Sequence, residues 1–73
     1  MSDFSRLLSD GEMIEQFLHN LLDQGLEKYQ GDTELALAWA RTKLESFLQA
    51  QPEITEQMIE DYLQQMNQVA AEL

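Results

Sequence analysis

The chain has 73 residues, of which 44% are apolar and 8% aromatic, so it is one small domain with enough grease for a core. It carries 14 acids against 4 bases, a formal charge of −10, and no cysteine. These numbers exclude a disulfide scaffold, a thiolate nucleophile and a zinc–thiolate cluster, and no apolar run approaches the roughly 18 residues of a membrane span.

The N-terminal stretch up to Leu8 carries Phe4, Leu7 and Leu8, and the sequence predicts a short helical turn over 3–8 that docks on the rest. Its first residues, Met1 to Arg6, lack the apolar core of a secretion signal. With the missing cysteines this leads to an expected cytoplasmic location.

The first long helix is predicted over about 10–29. Ser9 and Glu12 have the spacing of a capping box, and Leu8 and Met13 that of a hydrophobic staple. Ile14, Leu18, Leu21, Leu22, Gly25, Leu26 and Tyr29 then share one face, with Phe17 at its margin. A glycine in mid-helix costs about 1 kcal/mol relative to alanine. Gly25 on the apolar face therefore predicts close approach of a second helix. Gly31 is the expected left-handed stop.

The second helix is predicted over about 33–50, capped by Asp32 and ended by Pro52. Its stripe is Ala36, Leu37, Ala40, Leu44, Phe47 and Leu48, with Leu35 and Trp39 off to one side next to Lys43. The third is predicted over about 56–71. Thr55 is its cap, with Pro52 an alternative first helical residue, and Ile54 and Ile59 form a staple. Ile59, Tyr62, Met66, Val69 and Leu73 step by three and four as a seam, flanked by Met58, Leu63 and Ala70. No segment alternates with period two. Short connections make successive helices antiparallel neighbours. The expected fold is all-α: one domain over 1–73, a small antiparallel three-helix bundle with the N-terminal turn packed against it.

Chemistry finds little purchase. His19 is the single histidine, and Glu15, His19 and Asp23 follow one another at steps of four. Such a trio is the nearest approach to a divalent-metal site, but a solvated polar stripe explains it as well, and no metal and no cofactor is expected. The serines Ser2, Ser5, Ser9 and Ser46 have no histidine at a fitting separation, and no glycine-rich phosphate loop exists. A carboxylate acting as general acid needs a desolvated cleft, which a bundle this small has little room for. The chain is not expected to be an enzyme.

Two surface features remain. Glu12, Glu15, Asp23 and Glu27 lie on one side of the first helix, at intervals comparable to phosphates along a strand. Leu35 and Trp39 sit off the core stripe, where a tryptophan is either a partner-binding anchor or is covered by Phe4, Leu7 and Leu8. The charge opposes direct contact with nucleic acid or anionic membrane and favours a basic, or mixed basic and apolar, protein partner. The sequence thus points to a small acidic helical protein acting through protein–protein interaction, as adaptor, regulator or subunit, with a homodimer as one way to bury more surface. The alternative is a DNA-mimic inhibitor of a nucleic-acid-binding protein, and a metal-binding bundle stands third. Arg41 and Lys43 could pair with acids on a neighbouring helix, and such surface pairs are usually worth under about 1 kcal/mol.

Overall fold

The computed structural model describes residues 6–7 and 9–73. Three helices form the bundle: α1 (Gly11–Lys28), α2 (Thr33–Gln49) and α3 (Glu56–Ala71). No strand occurs among the described residues. Two contacts set α1 and α2 antiparallel. Phe17, early in α1, meets Phe47, late in α2, edge-on with ring centroids 5.9 Å apart. Gly25, late in α1, meets Ala36, early in α2.

Each helix starts where a short polar side chain satisfies the free amides of its first turn. Asp32 accepts from the Leu35 amide and Thr55 from the Met58 amide, both as expected. At α1 the cap is Asp10 instead of Ser9. The Asp10 carboxylate accepts from the amides of Glu12 and Met13 at 3.0 and 3.3 Å. Ser9 turns back and donates its hydroxyl to the Arg6 carbonyl at 2.8 Å. A carboxylate is the stronger acceptor for amides at the positive end of a helix, so the capping box is not formed. The Leu8 half of the expected staple lies outside the described residues.

The end of α1 also differs in detail. Gln30 is the first left-handed residue, at φ 55°, and Gly31 follows at φ 87°. The Gly31 amide donates to the Leu26 carbonyl at 2.8 Å, closing the last turn. Glycine thus stands one place beyond the first left-handed position. At the other end of the bundle, Ala50 closes α2 ahead of Pro52, and α3 starts at Glu56, so the alternative start at Pro52 is not used.

The core is apolar throughout. Ile14, Leu18, Leu21 and Leu22 of α1 meet Ala40, Leu44 and Leu48 of α2 and Leu63, Met66, Val69 and Ala70 of α3. Ala36 is fully buried as well, under Gly25. No side-chain nitrogen or oxygen is buried without a partner among the described residues. The α3 face is broader than its expected seam. Met66 and Val69 are buried, Ile59 and Tyr62 half-buried, and the expected flanks Leu63 and Ala70 belong to the core. Leu73, expected on the seam, is 58% exposed because α3 stops at Ala71. A helix that packs against two neighbours buries a wider arc than a two-stranded seam.

Phe47 departs from its expected place too. It is 43% exposed at the rim of the α1–α2 interface, against Phe17. In the N-terminal stretch, Arg6 and Leu7 are helical and Leu7 packs on the core, which agrees with docking there. The rest of the turn predicted over 3–8, including Phe4 and Leu8, lies outside the described residues.

Candidate functional site

Leu35, Trp39, Lys43 and Phe47 succeed one another on α2 at steps of four, so they form one strip along the helix. Leu35 is 51% exposed. Trp39 is half-buried, its ring packed against the core. The Lys43 ammonium lies 5.8 Å from the Trp39 ring centroid, within range for a cation–π contact. At one end of the strip Phe47 meets Phe17 of α1, and at the other Leu35 faces solvent on the outer edge of α2. The acids of α2, Glu34 and Glu45, lie about 120–140° round the helix from Trp39 at 100° per residue. The strip therefore combines apolar surface and one positive charge, with the Asp32 carboxylate at its Leu35 end, where it accepts from the Leu35 amide at 3.1 Å.

An open dent is lined by Leu7, Met13, Gln16, Phe17 and Asn20. Leu7 therefore sits beside the first half of α1. Of the three residues expected to cover Trp39, Phe4 and Leu8 lie outside the described residues.

The acidic candidates occupy a different surface. Glu12, Glu15, Asp23 and Glu27 are all exposed. Counted round α1 from Phe17, Glu12, Glu15 and Asp23 are about 120–160° away and Glu27 about 80°. Glu12, Glu15 and Asp23 thus lie on the side of α1 away from Phe17, with Glu27 nearer to it. Glu12, Glu15, Gln16 and His19 line a second open dent.

Glu15, His19 and Asp23 do not converge. From the first to the last the helix rises about 12 Å and turns by about 80°, while zinc ligands sit about 2 Å from the ion. Among the described residues no group of three or more His, Cys, Asp or Glu side chains is arranged to hold a metal ion. Arg41 also departs from expectation: it donates to the neutral Asn67 amide oxygen at 2.9 Å, bridging α2 and α3 in a half-buried setting. Lys43, expected to meet an acid, lies over Trp39.

Every carboxylate among the described residues is exposed. Two are held by neutral amides one turn away: Gln57 donates to Asp61 at 3.1 Å and Gln49 to Glu45 at 3.2 Å. Such bonds order the side chains and leave the negative charge in place. Among the described residues no helix is long and apolar enough to cross a membrane. Comparison of the chain with protein-family models, with curated proteins and with solved structures finds no match.

The strip on α2 was half legible in the sequence. Leu35 and Trp39 stood out as apolar residues off the core stripe. The helical phase of Phe47 lies within the buried arc, so the sequence places it in the core. Its place at the rim depends on where α1 crosses α2, which periodicity along one helix does not encode.

Proposed function

We propose that this chain works by binding another protein through the outer edge of α2, with Leu35 and Trp39 as the apolar contact and without catalysing a reaction. The single observation that carries the reading is the strip itself: an exposed leucine one turn from a tryptophan, bordered by Lys43. Tryptophan is enriched among the few residues that supply most of the energy in many interfaces, with charged groups steering the encounter from the rim. The partner carries an apolar patch, and basic groups around it meet the carboxylates on the remaining surface. An adaptor, a regulator and a small subunit of an assembly all fit this description. A second copy of the chain fits it too, and sedimentation over a concentration series detects that case. The absence of cysteine suits a reducing compartment, and the reading puts the protein in the cytoplasm.

The exposure of every described carboxylate supports the non-catalytic half of the reading, since a general acid or base is tuned by desolvation. The test is co-purification from native lysate with the wild-type chain and with Leu35→Ser. Leu35 lies outside the core, so the variant keeps its fold, which circular dichroism checks. A partner retained by the wild type and lost with Leu35→Ser is the expected result. Equal retention by both chains, or no partner above background at low and moderate salt, overturns the proposal.

A second reading rests on the exposed row Glu12, Glu15, Asp23 and Glu27. Carboxylates in that row can occupy the phosphate sites of a nucleic-acid-binding protein, which is inhibition by mimicry. It predicts binding that falls steeply with salt and competes with DNA or RNA. Changing all four residues to Gln removes that competition if the reading holds, and competition that survives the change refutes it.

A further inference from the structure

We draw no further inference here: the strongest candidate, the strip of Leu35, Trp39 and Lys43 on the outer edge of α2, belongs to the site already described, and nothing in the structure shows what covers it.

Discussion

Gly25 of α1 lies so close to Ala36 of α2 that a Cβ on the glycine would stand 2.8 Å from the Ala36 carbonyl oxygen and 3.0 Å from its Cα. Both atoms are backbone, so neither moves unless a helix moves. Glycine in mid-helix costs about 1 kcal/mol in propensity, and the contact explains why the position nevertheless holds glycine.

Propensity and packing predict opposite signs for Gly25→Ala. Overpacking of this kind costs about 1–3 kcal/mol, more than the propensity gain. The variant should lose about 1–2 kcal/mol, a fall of several degrees in Tm for a domain this small. Gly11→Ala is the matched control, since a Cβ there meets nothing within 4 Å. It should leave Tm unchanged or raise it. Thermal unfolding of both variants by circular dichroism checks the pair, and a Gly25→Ala chain as stable as wild type would mean that the helices are farther apart.

The turn after α1 holds a non-glycine residue in left-handed backbone. Gln30, at φ 55°, bears the steric cost of a Cβ in that region. Gln30→Gly should therefore stabilise the protein by about 0.5–1 kcal/mol, although it replaces a side chain with none. Gly31→Ala, at φ 87°, should destabilise it by about 1 kcal/mol. Urea midpoints of the two variants should move in opposite directions.

The cap of α1 separates two adjacent polar residues. Asp10→Ala removes the acceptor for two backbone amides and the negative charge at the helix start. It should cost about 1 kcal/mol. Ser9→Ala loses one exposed hydroxyl contact to the Arg6 carbonyl and should cost only a few tenths. Equal losses in chemical denaturation would return the cap to Ser9.

Ionic strength should act on the whole fold. Three of the four bases take neutral partners: Lys28 lies over Tyr29, Lys43 over Trp39, and Arg41 on Asn67. With 14 acids against 4 bases, the exposed carboxylates repel one another. Tm should rise between dilute buffer and about 0.15 M salt, where the screening length is about 8 Å. A flat or falling trend in a salt series would mean that the acids are better paired than this.

The fold was largely legible in the sequence because its determinants are local. Asp32 and Thr55 cap where their spacing to the apolar stripe places them, and Pro52 separates the last two helices. Gly25 carried tertiary information, since an unfavourable residue on an apolar face implies a close neighbour. Competition between adjacent candidates was harder to read. Ser9 and Asp10 are both good caps, and Gln30 and Gly31 both stand at the end of α1. The choice between them depends on one residue of helix phase. The candidate site was less legible for a different reason. Whether Trp39, Phe47 and Leu73 face core or solvent depends on where helices cross and end, and the periodicity of a single helix is silent on both.

Partner binding at the outer edge of α2, as proposed, can be mapped residue by residue. Amide resonances of the isotope-labelled chain, followed while the partner recovered with the wild-type protein is added, test this most directly. Shifts should concentrate at Leu35, Trp39 and Lys43, with the acidic row of α1 little changed. Shifts concentrated at Glu12, Glu15, Asp23 and Glu27, with Leu35 and Trp39 unmoved, would contradict it.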